Sequence, residues 1–194
     1  MRIAKVSFES KADLFFGKHI AEKKQLKETH EQFEERTWAG RVNVNSDGIL
    51  VIPHFALKNG LESAGKWLGM PIPGEGKKNF TKRFASGTMV SVPLELQDPN
   101  TGEFLTVDDI QKTTMFVPSD GQRGGKKRVI KHFPRVERWK ASAEILVLDD
   151  KIDERVMLEH LEALGNFIGF GSMRVENGGI NGRFDVTLLE LPPA

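Results

Sequence analysis

Trp139-Lys140-Ala141-Ser142-Ala143-Glu144-Ile145-Leu146-Val147-Leu148 is the stretch whose reading decides the fold. It alternates and then runs apolar through Ala141, Ala143, Ile145, Val147 and Leu148, which predicts a core strand. C-terminal to it, Asp149 and Asp153 are both placed to cap a helix. That helix carries Val156, Leu158, Leu161, Leu164 and Ile168 as its apolar face. A segment with five glycines comes next, Gly169, Gly171, Gly178, Gly179 and Gly182, with Arg174 and Arg183 among them. Phe184, Val186, Leu188 and Leu189 then read as a closing strand.

The N-terminal half has the same plan. Ala4, Val6 and Phe8 alternate with Ile3, Lys5, Ser7 and Glu9, an opening half-buried strand. Leu57, Leu61, Ala64 and Leu68 recur at helical spacing, and Gly69, Pro71 and Pro73 end that helix. Met89 to Leu96 reads as a strand, with Ile49–Ile52, Phe104–Val107 and Thr113–Val117 as shorter ones. Without insertions the order is strand, helix, strand, strand, helix, strand. This is an α+β fold of the ferredoxin-like or RRM-like split βαβ type, an antiparallel sheet with two helices and inserted basic loops. One domain over 1–194 is expected, with insertions at about 10–48 and 70–87 and a thumb-like loop at 118–137. Within the first, Glu22 to Arg36 is dense in Lys and Glu and reads as a solvated helix, with Leu26, His30 and Phe33 near one face, or as an ordered extension or a disordered segment.

Composition narrows the chemistry. The chain has 194 residues, with 28 Lys+Arg against 27 Asp+Glu, so any basic site must be local rather than a bulk polyelectrolyte effect. It has no cysteine, which excludes disulfides, thiolate catalysis and cysteine-ligated zinc. No signal peptide and no apolar run of membrane-spanning length is visible, so a cytoplasmic protein without a membrane partner is expected.

Positive charge gathers in two insertions. Lys77, Lys78, Lys82 and Arg83 punctuate the connection from Pro73 to Gly87. Arg123, Lys126, Lys127, Arg128, Lys131 and Arg135 crowd Pro118–Glu137 against only Asp120 and Glu137. Such residues bind phosphate without reading sequence, and Phe133 and Trp139 flank the second loop as candidate planes for unpaired bases. A solvated hairpin whose charge offsets Asp108-Asp109 or Asp149-Asp150 explains the same pattern. In the C-terminal segment, glycine lets a foreign backbone approach and arginine pairs phosphate in a fork. A wide turn between two strands fits it equally.

Three features in order resemble the RAMP superfamily, the repeat-associated RNA-binding proteins of CRISPR effector complexes. Ile52-Pro53-His54-Phe55-Ala56-Leu57-Lys58-Asn59-Gly60 is similar to that family's strand-to-helix junction. The basic stretch Pro118–Glu137 stands where its backbone subunits carry a thumb, and Gly169–Gly182 is similar to its glycine-rich loop. The chain departs from the pattern at His54-Phe55, where glycine and serine are usual, and at Asn59-Gly60. It is also shorter than a typical backbone subunit, which fits a compact or phage-encoded relative.

The resemblance implies a non-catalytic binder of single-stranded RNA or DNA that needs no cofactor or metal. It implies assembly as a homo-oligomer along the ligand or with CRISPR-complex subunits, and adds Lys58, at the first turn of its helix, to the candidate contacts. Two other readings stay open: an interaction protein that mimics or blocks a CRISPR complex, and an endoribonuclease using His54. The five histidines show no metal-ligand spacing, and nothing in the sequence supplies His54 with a catalytic partner.

Overall fold

The computed structural model describes residues 1–119 and 127–194. Its centre is β1 (Arg2–Ser10), which pairs antiparallel on both sides. On one side lies β8 (Lys140–Val147), in register from Arg2↔Val147 to Glu9↔Lys140. On the other lies β9 (Phe184–Glu190), with a register shift between Lys5 and Val6. The short β4 (Thr88–Met89) adds to the outer edge of β8, giving the order β4-β8-β1-β9. Every neighbouring pair is antiparallel, with the helices at His30–Thr37, His54–Leu68 and Thr81–Gly87 lying in the chain between β1 and β4 and that at Glu154–Ala163 between β8 and β9.

The alternation read from the sequence sets the two faces. Ala4, Val6, Phe8, Ala141, Ile145, Val147 and Phe184 point into the core, while Ile3, Lys5, Glu9, Ser142, Glu144 and Asp185 face outward. The inner face is covered by α2 (His54–Leu68) and α4 (Glu154–Ala163), which also pack on each other. Gly69, at φ +54°, ends α2 by donating to the Gly65 carbonyl. At the start of α4 it is Asp153 that accepts from Val156 N, at 2.8 Å. Met157 and His160 join Val156 and Leu161 on the buried side, whereas Leu158 is only half-buried.

After Ala163 the helix widens into one π turn, Leu164–Ile168, closed by Gly169 N donating to the Leu164 carbonyl at 2.7 Å. Gly165 lies in this turn against the Phe184 carbonyl oxygen, so close that a Cβ would collide with it.

The described parts of the insertions are more ordered than their composition suggests, and the described residues form four α-helices rather than two. The charged segment forms a helix only from His30 to Thr37 (α1), opened by a capping box between Thr29 and Gln32. Leu26 precedes it and is 94% exposed, so it belongs to no apolar face. The connection at 70–87 holds α3 (Thr81–Gly87), with Phe84 fully buried. Met89–Leu96 is not one strand: the chain leaves the sheet after β4 and forms β5 (Leu94–Glu95), which pairs with β3 (Val51–Ile52). Of the expected loop at 118–137, most of the described residues are strand. β6 (Gln111–Pro118) and β7 (Arg128–Val136) build a two-stranded hairpin in register from Gln111↔Arg135 to Pro118↔Arg128. The short β2 (Leu14–Phe15) completes that sheet on the other edge of β7.

This packing has two expected outcomes. Gly165→Ala forces the π turn off the Phe184 carbonyl and is expected to lower unfolding free energy by about 1–3 kcal/mol in urea titration. His160 is fully buried between α3 and α4, its ring stacked on Phe84 with centroids 4.0 Å apart. Its Nδ1–H donates to the Val156 carbonyl at 2.7 Å, and Nε2 has no partner. Burial lowers its pKa below the ordinary 6.5, so the unfolded chain takes up a proton that the fold excludes. Stability is therefore lost as pH falls below about 6.5, with a slope through this group of up to about 1.4 kcal/mol per pH unit. His160→Leu is expected to flatten the stability profile between about pH 7 and 5.

Candidate nucleic-acid interface

The hairpin divides into two electrostatic halves. Near its base Arg135 is held by Asp13 at 2.8 Å and Glu137 at 2.7 Å, and it also donates to Gln111. On the same half Lys112 pairs with Glu35 of α1 at 2.7 Å, and its hydrogen bond depresses the Glu35 pKa. His132 is buried, with Thr114 Oγ1 2.9 Å from Nδ1 and Glu35 Oε2 3.3 Å from Nε2. Glu34 of α1 is buried with Arg41, at 2.7 Å. This network of α1 against the hairpin base was not read from the sequence. The density of Glu before Arg36 carried a hint of it, but without the fold no partner was identifiable.

Further out, the described residues of the hairpin include no acid. Lys127 and Arg128 are exposed and Lys131 half-buried, and none has an ion pair among the described residues. Arg128 donates only to the Phe116 carbonyl across the hairpin, at 3.2 Å. Arg123 and Lys126 lie outside the described residues. Phe116, 61% exposed, is the aromatic side chain this half presents. Phe133 is half-buried on β7, while Trp139 is fully buried and offers no plane to a ligand.

The second basic cluster is partly committed to the fold. Arg83 bridges Asp149 and Glu75, both at 2.6 Å, and the Asp149 hydrogen bond raises its pKa. Lys78 approaches Glu75 at 3.6 Å, and Lys77 and Lys82 are exposed. Together they line an open cleft of about 580 Å³ with Asn79, Ser86 and Asp149.

Lys58 is occupied internally. Its ammonium donates to the Phe84 and Ala85 carbonyls, the latter at 2.7 Å, and so neutralises the C-terminal end of α3. Burial lowers its pKa. His54 is exposed at the start of α2, its ring edge-on to Phe55 with centroids 5.7 Å apart.

The glycine-rich segment folds back on its own chain. Ser172 N donates to the Phe15 carbonyl and Gly182 N to the Asp13 carbonyl, both at 2.8 Å, and Phe170 N donates to the Gly182 carbonyl. A Cβ on Gly171 would strike the Phe15 carbonyl, and one on Gly182, at φ +70°, the Phe170 carbonyl. Gly179 sits as tightly on Met173, and Gly169 and Gly178 both take positive φ. The close approach that glycine permits is thus used by the protein's own backbone. Arg174 is paired with Glu176 at 2.7 Å, whereas Arg183 is exposed without an ion pair among the described residues.

No family model matches this sequence, and no curated protein matches it. Among solved structures, a chain described as a CRISPR RNA-guided surveillance complex is similar with a TM-score of 0.40 and 10% identity. The match covers 94% of this chain and 67% of that one. No helix among the described residues is long and apolar enough to cross a membrane.

The two kinds of lysine are separable by experiment. Lys58→Met removes charged hydrogen bonds to carbonyls and is expected to cost about 1–3 kcal/mol of stability. Lys131→Met, outside any ion pair, is expected to leave the thermal midpoint within about 2 °C. Differential scanning fluorimetry of both variants checks the contrast.

Proposed function

We propose that this protein is a non-catalytic binder of single-stranded nucleic acid, RNA in preference, built on a ferredoxin-like split βαβ domain. The observation that carries the reading is the hairpin's charge gradient. Acids pair every described cation at its base and none at Lys127, Arg128 and Lys131. An arm whose base cations are paired and whose outer described cations have no acid partner among the described residues fits a phosphate backbone. Arg183, Lys77 and Lys82 add further unpaired or exposed cations on other loops. The sequence resemblance to RAMP proteins, in the junction at 52–60 and the order of the inserted elements, supports RNA over DNA. It also supports assembly of copies side by side along one strand.

A second reading, an interaction protein that docks on a CRISPR-type complex, is favoured by the uncovered outer face of the sheet. Ile3, Met89, Val92, Phe104 and Leu189 are all more than two-fifths exposed, and Val92, Phe104 and Leu189 line a hollow of about 530 Å³ with Lys5, Ser142 and Glu144. Patches of that kind mark protein contacts more often than solvent.

The discriminating measurement is fluorescence anisotropy of labelled single-stranded RNA, single-stranded DNA and duplex across a salt series. Lys127→Ala/Arg128→Ala/Lys131→Ala is expected to weaken single-strand binding and to reduce the log–log salt slope by about 2, from about 0.7 per lost phosphate contact. Absence of binding to all three nucleic acids at low salt sinks the proposal and leaves the protein partner.

A further inference from the structure

Apart from the basic hairpin, α2 presents a stripe of residues spaced four apart: Phe55, Asn59, Ser63 and Trp67. Phe55 is 56% and Trp67 62% exposed. At the C-terminal end of the stripe Phe167, on the π turn, stacks on Trp67 with centroids 5.2 Å apart and ring planes 22° from parallel. Phe167 remains 44% exposed, so the pair is a platform on the surface rather than part of the core. Two adjoining grooves, of about 390 and 180 Å³, run along the stripe and share Ser63, Ile168 and Glu176.

We propose that Trp67 and Phe167 form a stacking platform for an unpaired nucleobase, with the strand continuing along the groove past Ser63 and Asn59. This deepens the single-strand reading above and rests on it. Aromatic faces accept any base, since every base has a π-face. Trp67 has one face against Phe167, is still 62% exposed and lines the groove, so ring surface remains open to a ligand. Asn59 and Ser63 have no side-chain hydrogen bonds among the described residues, so their donors and acceptors are free for base edges. Lys66 and Arg174 flank the groove, each held only by an exposed or half-exposed carboxylate, Glu62 and Glu176. Ion pairs of that kind are weak, and a phosphate displaces them readily. Flat rings bordered by polar groups and displaceable cations suit a nucleotide strand better than the aliphatic surface of a protein partner.

The chain's other tryptophans are the half-buried Trp38 and the fully buried Trp139, so Trp67 is the natural fluorescent reporter. Wild type is titrated with a single-stranded RNA of mixed sequence, following tryptophan emission and, on labelled RNA, anisotropy at two salt concentrations. Binding is expected to quench the emission, and Trp67→Phe to abolish the quench while retaining most of the affinity. Trp67→Ala and Phe167→Ala are expected to weaken binding between about fivefold and a hundredfold without changing the salt slope. Unchanged affinity in Trp67→Ala, beside a weakened Lys127/Arg128/Lys131 triple variant, overturns the platform and leaves single-strand binding intact. No RNA binding by wild type overturns both. Loss of self-association in Trp67→Ala with RNA affinity unaltered, read by light scattering, assigns this face to a protein contact and overturns the platform.

Discussion

Four fully buried aromatic rings hold the working parts of this molecule in place. Phe8 near the end of β1, Trp139 just before β8, Phe184 at the start of β9 and Phe170 in the glycine-rich segment meet in one cluster. Phe170 and Phe184 stack at 4.6 Å, and Phe8 stands edge-on to Phe184 at 5.3 Å. Trp139 leans on Phe184 at 5.9 Å and on Phe170 at 6.4 Å. Rings of this size contribute both buried area and directional contact. Trp139 comes just after the hairpin, and its backbone is bonded both ways to Ser10 at 2.9 Å. The root of the basic arm is thereby fixed to the central strand. Phe170 does the same for the segment after the π turn. Arm and groove thus have fixed positions relative to one sheet.

Charge is distributed as economically as the near-neutral composition requires. With a formal net charge of +1, the molecule has no long-range field to gather a polyanion. Most cations that the sequence places beside acids are tied to them: Arg36 to Glu22 and Glu28, Arg41 to Glu34, Arg83 to Asp149 and Glu75, and Arg135 to Asp13 and Glu137. Arginine does this work because its planar fork can hold two carboxylates at once. Lysines, with less geometric commitment, are left at the surface of the two insertions. Arg83 and Lys82 are neighbours in sequence and differ in this way.

The sheet was legible because its strands obey a period of two with one dry face, and α2 and α4 because their apolar residues keep helical spacing. The insertions were not. β7 alternates His132, Pro134 and Val136 inward, but basic residues occupy the opposite positions, and a strand written as Lys and Arg reads like a loop. α3 is short, and its one decisive residue, Phe84, is buried by tertiary contact rather than by periodicity. Lys58 looked available because nothing in sequence shows that α3 ends above it. The glycines misled in a different manner. Their composition announces close backbone approach correctly, but only the fold shows that the approaching backbone is Asp13–Phe15 and the segment's own strands. Trp67 and Phe167 were invisible as a pair, since they lie on different elements a hundred residues apart.

The π turn connects the two halves of the proposed binding surface. A turn with one extra residue shifts the register of the residues after it, which is why such turns recur where function needs an off-pattern side chain. Here Leu164, Gly165 and Ile168 face the core, Phe167 faces outward onto Trp67, and Phe170 turns back into the aromatic cluster. The chain tolerates the wider turn because Gly165 lets it settle against the Phe184 carbonyl. An exposed aromatic pair and a buried aromatic cluster are therefore mechanically linked across three residues. Stacking on the outer pair is nearly independent of salt, whereas contact at the hairpin is screened within about 8 Å at physiological ionic strength. In the proposed reading, the two surfaces would hold a strand by forces that fail under different conditions.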